Sequence, residues 1–237
     1  MNRLEFSSAL AAGAATALFG TGIARAAMPV KNVVLVHGLY ADGSCWSDVI
    51  MRLQAAGLNV TSVQNPLTTF ADDVAAAQRA LAMQDGPTVL VAHSYSGMIA
   101  TQTGVDPKVT GLVYVAARAP DAGEDYPALA ARFPTPPASA GIVKNGDYVQ
   151  LSKAAFLADF ANGVDPAVAQ RLYAVQQPNL ATLSPTARTT VAAWRSKPSW
   201  YAVSKQDRTI NPDLERFMAK RMKATTIEID AGHLSLV

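Results

Sequence analysis

One cysteine, three histidines and little charge are what this 237-residue chain has least of, and each scarcity narrows its chemistry. A lone thiol, Cys45, excludes an internal disulfide whatever the redox compartment. Next to Trp46 at the start of a predicted helix, it reads as a buried packing thiol. Three histidines scattered at positions 37, 93 and 233 offer no metal-ligand spacing, so no metal site and no cofactor are expected. Charged residues make up 16% of the chain and nearly cancel to a formal +2, which leaves no basic surface for nucleic acid. The single cluster, Arg216, Lys220, Arg221 and Lys223, falls late in a predicted helix, where cations suit the dipole and a solvated face.

What is present is apolar: half the residues are hydrophobic, enough for one sizeable core and one domain. Residues 1–26 read as an export signal, with Arg3, an Ala/Leu/Gly-rich stretch from Ala9 to Ile23, and Ala24-Arg25-Ala26 as a small-x-small cleavage site. That stretch is weakly hydrophobic for a spanning helix of about 20 apolar residues. The expectation is therefore a periplasmic or secreted chain with no stable membrane association after cleavage. The mature domain would occupy residues 27–237.

Strand-like runs at 33–37, 58–63, 87–92, 110–116, 199–204 and 225–229 alternate with helical patterns near 45–56, 70–84, 96–105 and 211–222. Near-continuous apolar strands separated by helices predict an α/β fold, a mostly parallel sheet of about six strands covered by helices on both faces. In such a sheet the ligand crevice lies beyond the carboxyl ends of the strands. The interval of about 118–196 breaks the alternation and reads as a helical cap, with helices expected around 152–162, 165–176 and 185–195.

One stretch carries the chemistry. In VLVAHSYSG, residues 89–97, an apolar strand ends in small residues around Ser94 and opens into MIATQ. A serine at the apex of a strand-turn-helix is exposed, with the first helical amides directed at it. His37 precedes Gly38 after the first strand, and His233 follows the last. Serine is a weak nucleophile until a base takes its proton and a third group orients that base. Asp207, in the loop after the 199–204 strand, suits the third role, with Asp121 and Glu124 after the 110–116 strand as competitors. His93, adjacent to Ser94, is expected to pack beneath the turn.

Val36-His37-Gly38, Ala92-His93-Ser94-Tyr95-Ser96-Gly97, Asp207 and Gly232-His233 together resemble an α/β-hydrolase. Leu112 to Ala117 followed by Ala119-Pro120-Asp121 is similar to the branch holding plant methylesterases, hydroxynitrile lyases and bacterial esterases. The resemblance implies a Ser94, Asp207, His233 triad cleaving carboxylic esters of small molecules through an acyl-enzyme. It also implies an oxyanion hole from the backbone N–H groups of Leu39 and Tyr95, and leaves Asp121 a loop-stabilising role. Tyr40, Trp46 and Trp194 are candidate pocket residues. A hydroxynitrile lyase of this branch would carry threonine at position 38 and lysine at 234, where this chain has Gly38 and Leu234. A perhydrolase would use the same triad. The family continues past its histidine into a C-terminal helix that is missing here, since the chain stops at Val237, so a truncated, non-catalytic binding relative is the remaining alternative.

Overall fold

The computed structural model describes residues 30–237; the expected export signal lies outside the described residues. In chain order the elements are β1 (Asn32–Val36), α1 (Ser47–Ala55), β2 (Asn59–Val63), α2 (Phe70–Ala82), β3 (Thr88–His93), α3 (Ser96–Thr103) and β4 (Val109–Val115). An inserted segment follows, and then β8 (Ser199–Ser204), α8 (Pro212–Met222) and β9 (Thr225–Ile229). Six strands form one sheet in the order β2-β1-β3-β4-β8-β9, and every pairing in it is parallel.

All five residues of β1 are buried, which an unbroken apolar strand achieves only with cover on both faces. The edge strand β9 is exposed along most of its length. Two of the scaffold helices start on side-chain caps. The Thr69 hydroxyl accepts from Asp72 N at the head of α2, and at α8 the Asn211 side chain accepts from Asp213 N with Pro212 in the first turn. Among the described residues, no helix is long and apolar enough to cross a membrane.

The inserted segment holds α4 (Tyr126–Ala130), β5 (Ile142–Asn145), β6 (Tyr148–Leu151), α5 (Lys153–Ala155), α6 (Pro166–Ala174), β7 (Asn179–Leu180) and α7 (Leu183–Thr186). Its strands make a separate antiparallel sheet in the order β5-β6-β7. The helix expected over 152–162 is α5 running into one π-helical turn, Phe156–Phe160. Over 185–195 only Pro185 and Thr186, the end of α7, and Ala193–Arg195, a short 3-10 turn, are regular. The residues between carry Arg188 and Thr189, which are tied to Asp125, Pro185 and Asp121 instead of to a helical ladder.

Candidate active site

β3 ends at His93 and α3 begins at Ser96, so the turn between them is two residues long, and Ser94 sits at φ 58°. A non-glycine residue pays about 1–2 kcal/mol for that left-handed conformation. The elbow is held by its surroundings. Ser94 O accepts from Gly97 N at 3.1 Å and from Arg118 N at 2.9 Å. Ser96 Oγ lies 2.6 Å from Val36 O and 2.8 Å from His93 O and accepts from His93 N at 3.0 Å, stitching the turn to the end of β1. A serine where a glycine would be small enough therefore adds cross-strand hydrogen bonds.

Gly38 is pressed against that elbow: a Cβ there would lie 2.6 Å from Ser94 Cβ and 3.2 Å from Ser94 Oγ. Only glycine allows such an approach. The loop bearing Leu39 is fixed by His37, whose Nδ1–H donates to Gly38 O at 2.9 Å while Nε2 accepts from Asn65 N at 3.0 Å. Asn65 Nδ2 donates back to His37 O at 2.8 Å. Burial lowers the His37 pKa, consistent with this neutral tautomer.

His233 Nδ1 is 2.6 Å from Asp207 Oδ2, with both side chains fully buried. Asp207 Oδ1 accepts from Thr209 N at 2.6 Å and Ile210 N at 2.8 Å, so the loop after β8 presents the carboxylate already oriented. With Nδ1–H committed to Asp207, His233 Nε2 is left as a lone-pair acceptor, buried and without a partner. It makes no hydrogen bond with Ser94 Oγ in this arrangement. The ring of His93 stands 4.6 Å from that of His233, and its Nε2–H donates to His233 O at 3.0 Å. Burial drives the His93 pKa well down, favouring a neutral ring that pins the His233 backbone from beneath the turn.

Asp121, the competing acid, pairs with Arg195, and Glu124 with Arg221. The expected solvated basic face on α8 is thus only partly present: Arg221 is half-buried, donating to Glu124 and to Ala119 O, and Arg216 binds Asp213 and Glu228. Cys45 is buried, and that burial pushes its thiol far above the usual range. Of the pocket candidates, Tyr40 lines a cavity of about 310 Å³ shared with Arg118 and Thr209. Trp46 lies under the turn, edge-on to His93 at 6.3 Å. Trp194 is a correction: it donates to Pro120 O and stacks between Arg195 and Arg221, packing the inserted segment onto the scaffold instead of lining that cavity.

Three contributors went unforeseen. Glu215 on α8 is fully buried; its Oε2 accepts from Ser204 N at 3.1 Å, and Oε1 has no partner. Burial first, and the charge of neighbouring Asp207 second, raise its pKa well above the ordinary carboxylate value, which favours the protonated form. Asp73 on α2, also fully buried, accepts from Tyr95 OH at 2.9 Å and Leu67 N at 2.9 Å, anchoring the residue after Ser94; burial lifts it to about 6. The hydrophobic periodicity contained a signal for both: Glu215 shares the inward stripe with Met218, Ala219 and Met222, and Asp73 with Ala76, Ala77, Ala80 and Leu81. The third, Asn162, follows the π-turn, donates to Gln206 O at 2.9 Å and packs against Gly232, strapping the Asp207 and His233 loops together. Asp159 adds an ion pair to Arg208 at 2.6 Å.

A parallel sheet whose first, third, fifth and sixth strands in chain order lead into the Gly38, Ser94, Asp207 and His233 loops defines an α/β class of fold with its marked loops beyond the strands' carboxyl ends. Residues 33–237 match the alpha/beta hydrolase family, and the chain belongs to it. A carbendazim-hydrolyzing esterase from Nocardioides sp. (strain SG-4G) is 31% identical over 140 residues, 52% of this chain and 57% of that protein. Methylesterase 7 of Arabidopsis thaliana is 33% identical over 107 residues, 38% of this chain and 41% of that protein. The chain thus spans about half the length of the curated relatives it matches. The crystal structure of polyneuridine aldehyde esterase superposes with a TM-score of 0.73 at 19% identity, covering 88% of this chain and 94% of that one, a likeness of fold.

Proposed function

We propose that the chain hydrolyses carboxylic esters of small molecules as a serine hydrolase without a cofactor. The observation that carries this reading is the buried His233, whose Nδ1 is 2.6 Å from the Asp207 carboxylate and whose Nε2 is bare, on a loop tied by His93 to the turn where Ser94 is held at positive φ. Two relatives named as esterases support the same chemistry. In the first half-reaction Ser94 Oγ attacks the ester carbonyl carbon as its proton passes to His233 Nε2. The oxyanion forms against the N–H groups of Leu39 and Tyr95, where preorganised donors act most strongly. Collapse breaks the bond to the alcohol, which leaves with the proton from His233. Water, deprotonated by His233, then attacks the acyl-enzyme and releases the acid with Ser94 restored. The Ser94–His233 hydrogen bond, open here, closes as substrate orders the hydroxyl, a common feature of ligand-free sites.

Gly38 and Leu234, in place of threonine and lysine, weigh against cyanohydrin cleavage. A fluorophosphonate probe tests the reading: one covalent label on Ser94, lost in Ser94→Ala along with turnover of chromogenic esters, supports it. Absence of both labelling and turnover in the folded chain overturns it. For export, residues 1–26 act in this proposal as a cleaved leader, placing the chain in the periplasm or medium. Mass spectrometry of exported protein should find an N-terminus at or near Ala27, and an intact Met1 on secreted protein would refute cleavage.

A further inference from the structure

Arg118 is the charged residue that the reaction scheme above leaves without a task. It follows β4, and its backbone crosses the elbow so closely that Arg118 N donates to Ser94 O at 2.9 Å and a Cβ on Gly97 would collide with Arg118 O. Its side chain lines the cavity of about 310 Å³ whose walls also carry Tyr40, next to the oxyanion residue Leu39, and Thr209, two residues beyond Asp207. The three acidic residues that follow it most closely along the chain are engaged elsewhere: Asp121 with Arg195, Glu124 with Arg221, Asp125 with Arg188. Among the described residues no carboxylate pairs with Arg118. Its guanidinium donates to Ser184 Oγ at 2.9 Å and stacks on Tyr126 and Tyr95 at 4.7 and 5.7 Å, contacts that do not neutralise it.

Two donors at this cavity are unsatisfied. Arg118 Nε is buried without a partner, and so is Thr209 Oγ1. An unpaired buried donor is costly, more so on a charged group, and a planar guanidinium with free N–H groups matches a carboxylate in geometry as well as in charge. Asn179 Oδ1, on the same wall and also unpartnered, suits a water or hydroxyl beside the anion.

We propose that Arg118 is a specificity residue and that the substrates of this site are esters carrying a free carboxylate, held by Arg118 and Thr209 while Ser94 attacks the ester carbonyl. The proposal rests on the ester-hydrolase reading for the reaction, but the binding it describes is measurable without turnover.

The binding arm uses the Ser94→Ala chain and calorimetry. Monomethyl glutarate places the carboxylate on the acyl side and acetoxyacetate places it on the alcohol side. Dimethyl glutarate and methyl acetoxyacetate are their neutral counterparts. At least one charged ester should bind about tenfold more tightly than its counterpart, and Arg118→Met should erase that margin while Arg118→Lys keeps part of it. In the active chain the same margin should appear in kcat/KM, chiefly through KM. Equal or weaker binding of both charged esters overturns the proposal. So does a margin that survives in Arg118→Met, or an Arg118→Lys that loses as much as Arg118→Met. Binding with the predicted margin but no turnover of any ester would sustain the anion site and count against the hydrolase reading instead.

Discussion

The six-stranded sheet and the segment between β4 and β8 solve different problems with different means. In the sheet every pairing is parallel, and each chemically marked loop follows a strand end, so one repeated rule places Gly38, Ser94, Asp207 and His233. The inserted segment has no such repeat. Its strands β5 and β6 are short and mostly exposed, and it meets the site through individual contacts, namely Asn162, Asp159 and Phe160, whose ring is 5.1 Å from that of His233. Under the proposed function the scaffold therefore carries the reacting groups, and the insertion shapes their setting.

The largest effects should come from the sheet's own loops. Ser94→Ala should lower ester turnover by about 10⁴-fold or more, and His233→Ala by a similar factor, because members of such a unit fail together. Asp207→Asn should cost less than either but far more than Asp121→Asn. Steady-state kinetics on folded variants decide this; a larger loss for Asp121→Asn would move the acid to the end of β4 and break the comparison. Next in size, Gly38→Ala drives a methyl group into Ser94 and displaces the Leu39 amide. Loss of one oxyanion donor is worth about 10²–10³ in kcat, so kcat rather than KM should fall.

The same contrast explains what could be read from the chain alone. The strand-helix alternation predicted the strand boundaries to within a residue or two, because a strand buried on both faces leaves little freedom in composition: β1 is NVVLV and β3 is TVLVAH. The Ser94, Asp207 and His233 loops followed from strand ends. The antiparallel β5-β6-β7 sheet was missed because its residues face solvent on much of their surface and carry no buried alternation to detect. Within the 185–195 stretch, expected to be helical, Arg188 and Thr189 bond instead to Asp125 and Asp121, partners more than 60 positions away that local pattern cannot announce. Glu215 and Asp73 were legible in principle, as acids on otherwise apolar helix stripes, and a buried acid without a cation partner is itself a sign of function.

Glu215 gives the next prediction, sharpened by the sign of its shift. A carboxyl whose folded pKa is raised holds its proton where the unfolded chain has released it, so stability is fully present below the ordinary value of 4.5 and declines as pH rises toward the folded value. Each such proton contributes a slope of about 1.4 kcal/mol per pH unit. Glu215→Gln mimics the protonated form, can still accept from Ser204 N, and leaves an NH₂ facing Asp207. Urea unfolding should show this variant gaining on the parent progressively above pH 4.5, at about that slope. Asp73 should add its own decline between 3.8 and about 6, present in both chains. A stability gap that does not change with pH would mean that Glu215 is ionised and that Asp207 has a charged neighbour.

The smallest expected effect falls at the junction of the two regions. Asp121 sits where β4 gives way to the insertion; its side chain pairs with the exposed Arg195, caps Ala122 N at 2.8 Å, and its carbonyl accepts from Thr189 Oγ1 at 3.0 Å. Asp121→Asn keeps an oxygen for Ala122 N and leaves the Thr189 bond untouched, removing only the charge of a surface pair, a kind of contact that contributes little in water. The melting temperature should shift by no more than about 2–4 °C, the range a 1 kcal/mol change gives in a domain of this size. Raising salt should shrink the difference further, because exposed pairs are screened. Esterase activity should stay within about twofold, since Asp121 is tied to Arg195 and His233 is tied to Asp207. A much larger loss of stability would show that the insertion is held to the sheet through this one carboxylate, and would make the boundary between reaction scaffold and setting less sharp than the sheet topology suggests.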